Sequence, residues 1–374
     1  MKTKFFDDIE RLRGFACLLI LIQHIAWICP MPFVHEIVPT KLLTGSGAVH
    51  LFFAISGLVV TLSLREKLDS LQGATFSDRM SSAKCWLLSF YKRRFFRTFP
   101  MVLFVIITVA IFLGFTEDDT IWVAPLLRAP AEIFCGVYNY SVESFVSVEK
   151  IHLAGIGPFW TLAVETQFYI LWPLVLIACK NNNVRVILSL SLGLLFLFVV
   201  QPGLASLYGS KYYSIYSNVS ELFLGSFFAF LYNGESSCEC NTKIANLVTA
   251  VLGMLVWFYP NSISDKTFFS GTVVTLASVL SAATAVFVKN SFKIPVLDKI
   301  FYYIGSRSFS FYAIQLALAN IVVWYTNSTY FPKEPSYRHD FFMYQFIIFI
   351  VMQFIISEIL YRFIERPSRN FGRR

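Results

Sequence analysis

The sequence predicts an all-α, polytopic membrane bundle of about ten transmembrane helices with both termini in the cytoplasm. Three observations predict it. Only 14% of the 374 residues are charged and 56% are hydrophobic, whereas a soluble domain carries roughly a quarter charged residues. Apolar stretches long enough to cross a bilayer recur along the chain. The Lys and Arg between them fall mostly on one set of connections, the asymmetry that sets orientation. Forty Phe and eighteen Tyr exceed what a water-soluble core of this length hides. The alternating segments of a membrane barrel are absent.

In chain order the apolar stretches are 14–33, 46–64, 99–115, 160–179, 186–201, 219–232, 244–259, 269–288, 302–326 and 341–361. Segment 120–137 is apolar but interrupted by Arg128, Pro125 and Pro130, and reads as interfacial or re-entrant. Lys2, Lys4, Arg11 and Arg13, a basic loop over about 65–98, and a tail with Arg362, Arg366, Arg369, Arg373 and Arg374 all fall on the cytoplasmic side. No cleavable signal peptide is evident, because the apolar run after Arg13 is too long. Without repeats, low-complexity stretches or an appended soluble domain, residues 1–374 read as one membrane domain. The net charge of +8 would suggest nucleic acid in a soluble protein. Here the cations are topology signals and candidate anion ligands, so no nucleic-acid partner is expected. Seven scattered Cys, with Cys238 and Cys240 the only close pair, give neither a metal site nor a disulfide framework.

The first apolar helix carries Arg13 at its entrance and His24 eleven residues on. That spacing puts both on one stripe within roughly 20° and about 16 Å apart. Ionisable groups inside a membrane are costly and usually face a bundle interior or a wet cavity. The plain alternative is a snorkelling Arg and a His that only cements packing. The second stretch brings His50 just inside the opposite boundary, with Gly45, Gly47 and Gly57 best read as close-packing positions. FYKRRFFRTFP (90–100) gathers Arg93, Arg94 and Arg97 before the third stretch. Such a cluster ordinarily anchors topology or meets anionic lipid, yet Arg94 and Arg97 share a helix face and could fork a phosphate. Glu165, in WTLAVETQFYILWP (160–173), lies about 8 Å inside the outer boundary. The alternative there is a Glu that pairs with Arg or His to hold the bundle. Counted up from the cytoplasmic side, His24 falls near 16 Å, Glu165 near 22 Å and His50 near 24 Å, one titratable layer.

These boxes resemble the acyltransferase-3 family, integral membrane enzymes that acylate extracytoplasmic glycans and some small molecules. The likeness runs in family order through IERLRGFACLLILIQH, GSGAVHLFFAISG, FYKRRFFRTFP, WTLAVETQFYILWP, LFLGSFFAFL, YIGSRSFSFYAIQ and YRFIERPSRNF, nearly the whole chain. The resemblance implies that Arg13 and His24 are the signature pair, that Arg94 and Arg97 serve the acyl-donor side, and that Glu165 is the family's box Glu. Thr161 and Ala163 stand where serines are usual. Arg307 falls where a basic residue often stands beside the motif glycine. His50 stands where relatives often have Asp, and Gln315 where they often have His. With that second imidazole missing, His24 is the base the resemblance leaves.

On that footing the expected activity is O-acylation with acetyl-CoA as co-substrate in a bacterial cytoplasmic (inner) membrane. Arg93, Arg94, Arg97 and Arg307 hold donor phosphates. His24 acts as base or transient acyl carrier, with Glu165 and Arg13 beside it. His50, Trp160, Gln167, Tyr312 and Gln315 meet the acceptor: a glycan, a lipid-linked oligosaccharide or a small hydroxylated molecule. Membrane lipids and, where the chain self-associates, its own copies are the other partners. A proton-coupled secondary transporter using His24 and Glu165 as a relay is the competing function, and a silent membrane scaffold the third. A donor-phosphate clamp at Arg94 and Arg97 distinguishes the enzyme from the transporter, and loss of activity with intact expression in a His24 variant distinguishes it from the scaffold.

Overall fold

The computed structural model describes residues 5–28, 45–71, 73, 75–115, 123–145, 155–208, 213–232, 242–258, 268–288, 291–292, 297–330 and 339–374. Among them every regular element is helical. Helix α1 (Phe5–Ile28) keeps its charges in its first nine residues. Helix α2 (Ser46–Asp69) returns beside it, and α3 (Phe76–Phe115) follows. Two short helices, α4 (Val123–Phe134) and α5 (Tyr138–Phe145), precede α6 (Trp160–Ala178). Helices α7 (Asn182–Leu195) and α8 (Gln201–Tyr208) are joined by a π-turn, Phe196–Val200. Then come α9 (Ser220–Leu231), α10 (Thr242–Phe258), α11 (Phe268–Phe287), α12 (Asp298–Ser306) and α13 (Ser308–Tyr330). A second π-turn, Tyr361–Glu365, joins α14 (His339–Leu360) to the tail helix α15 (Arg366–Arg373).

Six helical runs are long and apolar enough to cross a membrane, in α2, α3, α6, α7–α8, α13 and α14–α15, and α9, α10 and α11 are shorter apolar helices. With α1 they cover the ten predicted stretches. The predicted pair Cys238 and Cys240 lies outside the described residues, as do the ends of several connections.

Two stretches differ from expectation. The basic loop over 65–98 is mostly helix: α2 runs to Asp69 and α3 starts at Phe76. Thr75 and Asp78 close a reciprocal cap that starts α3. The Asp78 amide donates to the Thr75 hydroxyl (3.2 Å), and the Thr75 amide (3.2 Å) and hydroxyl (2.7 Å) donate to the Asp78 carboxylate. Those bonds hold the Asp78 carboxyl below the usual carboxylate range. At 40 residues α3 is about 60 Å long, twice a bilayer core. The predicted span 302–326 is split at Arg307, because Glu365 accepts the Ser310 amide (3.1 Å) and hydroxyl (2.5 Å) and starts a new helix there. Within 123–137 the apolar segment forms the short α4 and a turn that docks on α6, where Gln167 donates to Gly136 O and to Asn139 Oδ1 (3.0 Å).

Helix α2 is the central post, packed on α1, α6, α9, α10 and α11. Glycines set its closest approach: a Cβ on Gly57 would collide with the Leu222 carbonyl, and one on Gly225 with that of Ala54. The packing role expected for Gly45, Gly47 and Gly57 is what the structure shows, since each abuts a neighbouring helix. At one end of the bundle α1 crosses α12 just as closely through Gly14 and Gly305. There Arg11 bridges Asp8 (2.8 Å) and Asp298 (2.6 Å), so residues 8–14, 298–310 and the tail share that end.

Helix α6 is held at both ends. Above, Thr161 and the Tyr312 hydroxyl are 2.8 Å apart and both bond to Pro158 O. Below, Arg79 donates to Cys179 O (2.7 Å) and Ala178 O (3.4 Å), and Arg185 donates to Cys179 O (3.3 Å) while pairing with Asp69 (3.0 Å). Guanidinium groups at a helix C-terminus satisfy carbonyls that the helix leaves open.

Candidate active site

One cavity opens among α1, α2, α3, α6 and α13, enclosing about 830 Å³ including the space at its mouth. Arg13 enters from α1, Arg94 and Arg97 from α3, Thr161, Glu165 and Tyr169 from α6, and Ser308 and Tyr312 from α13. Aliphatic and aromatic side chains of α2 form the opposite wall, with Ser56 the polar exception. Five residues scattered over three hundred positions of sequence, Arg13, Arg94, Arg97, Glu165 and Tyr312, thus share one space.

A hydrogen-bonded series runs along the wall. Ser56 donates to the Tyr169 hydroxyl (2.6 Å), which donates to Glu165 Oε2 (2.8 Å). The Arg94 guanidinium lies over the Tyr169 ring (4.9 Å to its centre) and over Phe90 (5.3 Å). Arg13 donates to Glu10 (2.9 Å) one turn back on its own helix, which fixes its fork beside the cavity. Arg97 makes no ion pair among the described residues. Two arginines without a bonded carboxylate beside an apolar wall suit an anion whose remainder is apolar or amide-like.

His24 is not among the residues lining this space; on α1 the lining runs from Arg13 to Ile20. His24, half-buried, occupies the next turn of the same stripe, about 40° from Ile20. Gln315 reaches the same height. The Cys17 thiol donates to Ser308 O (3.5 Å), and seven residues later, roughly 10 Å on along parallel helices, stand His24 and Gln315. Gln315 is fully buried, and neither its amide nitrogen nor its oxygen has a hydrogen-bond partner among the described residues.

The single titratable layer expected from helical rise is not what the contacts give. Gly45 abuts Leu19 and Gln23, so His50, five residues on along the antiparallel α2, falls roughly 10 Å nearer the arginines than His24. Glu165, one turn past Thr161, sits beside Arg94 rather than at the opposite side. His50 turns away from the cavity altogether: its Nδ1 is 2.6 Å from Glu221 Oε1, which also accepts from Thr275 (2.5 Å), while Ser220 donates to Oε2 (3.0 Å).

The remaining candidates are engaged elsewhere. Trp160 is buried edge-on to Phe53 and Tyr213, and Gln167 ties α6 to the turn at Gly136. Arg307 pairs with Glu358 and stacks between Tyr303 (4.0 Å) and Tyr361 (4.7 Å). Arg93 is exposed beside the arginine-rich mouth. Sequence reasoning missed Tyr169, Ser56, Glu221 and Glu358. The two carboxylates carried a usable signal, being charges inside apolar runs. Tyr169 and Ser56 carried none.

Compared with known proteins, residues 6–362 match a family model described as an acyltransferase domain. The O-acetyltransferase OatA of Staphylococcus aureus, in strains COL and MW2, is 25% identical over 389 residues, covering 99% of this chain and 58% of the relative. The chain therefore spans somewhat more than half the length of these relatives. No solved structure matches it.

Proposed function

The chain belongs to the acyltransferase-3 family, and from that premise we propose that it moves an acetyl group from cytoplasmic acetyl-CoA to a hydroxyl of an extracytoplasmic glycan or oligosaccharide. The observation that carries this reading is the cavity, which gathers Arg13, Arg94, Arg97 and Glu165 beside an apolar wall; His24 lies outside its lining, one turn beyond Ile20 on the same stripe of α1. Arg94, Arg97 and Arg13 hold donor phosphate, with Arg93 outside the mouth. The pantetheine arm runs along the apolar wall of α2, which places the thioester toward Tyr312 and His24. Relatives named as O-acetyltransferases support the acetyl group, and bacterial relatives support a bacterial inner membrane.

In this mechanism the acceptor oxygen attacks the thioester carbon and the carbon–sulfur bond breaks. The His24 imidazole, in its neutral form, takes the hydroxyl proton, and the proton passes to the departing thiolate. In the covalent variant His24 carries the acetyl group between two such steps. Glu165 and Tyr169, bonded to each other, position the donor end, a change from the place beside His24 expected of Glu165. Gln315, level with His24 and unbonded, is the acceptor-side group the geometry favours over His50. Family membership removes the ground for the transporter and scaffold readings.

The test is acetyl transfer by His24→Ala and Arg13→Ala proteins that reach the membrane in normal amounts. Both are expected to lose it, and near-normal transfer by either ends this mechanism. Mass spectrometry of surface glycans with and without the gene then reads the acceptor, as one acetyl on a defined sugar.

A further inference from the structure

The tail helix α15 packs on α3 beside the arginines that line the cavity. Its Phe371 packs edge-on to Phe96 of α3 (4.7 Å), the Lys92 ammonium lies 5.6 Å from the Phe371 ring centre, and Gly372 sits so near Phe96 and Arg93 that a Cβ would be 2.9 Å from the Phe96 side chain. This docking sets Arg369 within charge–charge range of Arg97, Arg373 and Glu10. On its other side Arg369 is 3.2 Å from Glu365, but that carboxylate is shared with the Ser310 amide and hydroxyl. Ser310 lies two residues beyond Ser308, a lining residue. Arg369 therefore stands on the lip between the α3 and α13 walls.

Charge at this lip is unbalanced. Lys92, Arg93, Arg97 and Arg373 make no ion pair among the described residues, and Glu365 and Glu10 each already serve an arginine. Like charges gathered by packing repel one another unless an anion joins them. We propose that Arg369 and Arg373, with Lys92 and Arg93, form a second anion subsite that takes the phosphorylated nucleotide end of the acyl donor. This inference rests on the acetyl-CoA reading and deepens it: the cavity arginines take the phosphates next to the pantetheine arm, and the tail takes the rest. An anionic lipid headgroup offers the same phosphate chemistry, so the experiment separates the two sources.

Full-length protein is placed in nanodiscs of phosphatidylcholine alone, or with anionic lipid added, and titrated with adenosine 3′-phosphate 5′-diphosphate. Arg369→Ala/Arg373→Ala is expected to bind this probe about tenfold more weakly in both membranes. KM for acetyl-CoA rises by a similar factor, while kcat and the KM for S-acetylpantetheine, which lacks the nucleotide, stay unchanged. Arg373→Ala alone, on the exposed last turn, gives a smaller shift in the same direction and guards against misfolding caused by loss of the Glu365 contact. Unchanged probe affinity in both variants, or a difference seen only with anionic lipid, overturns the subsite. If the probe binds and the variants weaken it but acetyl-CoA supports no transfer, the donor reading falls and the nucleotide subsite stands.

Discussion

The two faces of α2 hold the same kinds of polar group in opposite circumstances. Toward α9 and α11, His50 meets Glu221, which meets Thr275 and Ser220, and Thr61 donates to Ser226 (2.8 Å). Each of these groups is bonded within a closed interior, Ser226 donating in turn to the Leu222 carbonyl (2.8 Å). Toward α1, α3 and α6, Ser56 begins a series that runs through Tyr169 to Glu165 and stops at an open cavity beside Arg94 and Arg97, neither of which makes an ion pair closer than 4 Å among the described residues. A buried polar group whose capacity is fully used holds helices together. One that borders open space keeps bonding capacity for something else. Mere depth in the membrane does not separate the two cases.

The largest expected effect tests the open face. Arg94→Ala is expected to lower acetyl transfer by at least about 100-fold while melting like the parent protein, and Arg94→Lys restores little because a point charge cannot fork a phosphate. A full-activity Arg94→Ala protein breaks the comparison at its functional end. On the closed face His50→Ala leaves Glu221 buried with hydroxyl partners only, and a loss of about 3–5 kcal/mol is expected in detergent melts. The double change His50→Leu/Glu221→Leu recovers most of it. Loss of transfer without loss of stability would mark His50 as a site residue after all.

Gln315→Leu sharpens the line between the faces. Because neither end of this buried amide is bonded among the described residues, an apolar replacement is expected to raise stability by about 1–3 kcal/mol, yet to lower transfer, the signature of a group kept for a ligand. The smallest effect lies outside both faces. Thr75→Ala removes the cap of α3 at a cost of about 0.5–2 kcal/mol with transfer unaltered. Since Asp78 titrates below its unfolded value, the cap's contribution is present above the ordinary carboxylate range and is lost as pH falls through the folded value.

Hydropathy and charge asymmetry made the spans readable, since each helix must satisfy its own backbone in lipid. The stripe joining Arg13 to His24 and the pairing of Arg94 with Arg97 on one face were readable for the same reason: both are properties of a single helix. What could not be read was register between helices. The contact of Gly45 with Leu19 and Gln23 decides that His50 lies well below His24, and the Gly57–Leu222 approach brings α9 with its Glu221 to His50. Arg307 was readable as a cation near the mouth, but its partner Glu358 lies 51 residues away on another helix. Such pairings follow from long-range packing, which spacing along one chain segment does not encode.

The clamps on α6 carry a consequence for how turnover proceeds. With Arg79 and Arg185 gripping its last carbonyls and the Thr161–Tyr312 contact fixing its first turn, the helix has no freedom to ride up and down like a piston. The depth of the carboxylate it bears is set before any reactant arrives. Under the proposed function, movement across the membrane would fall to the flexible donor arm, with the helix as a fixed anvil beneath it.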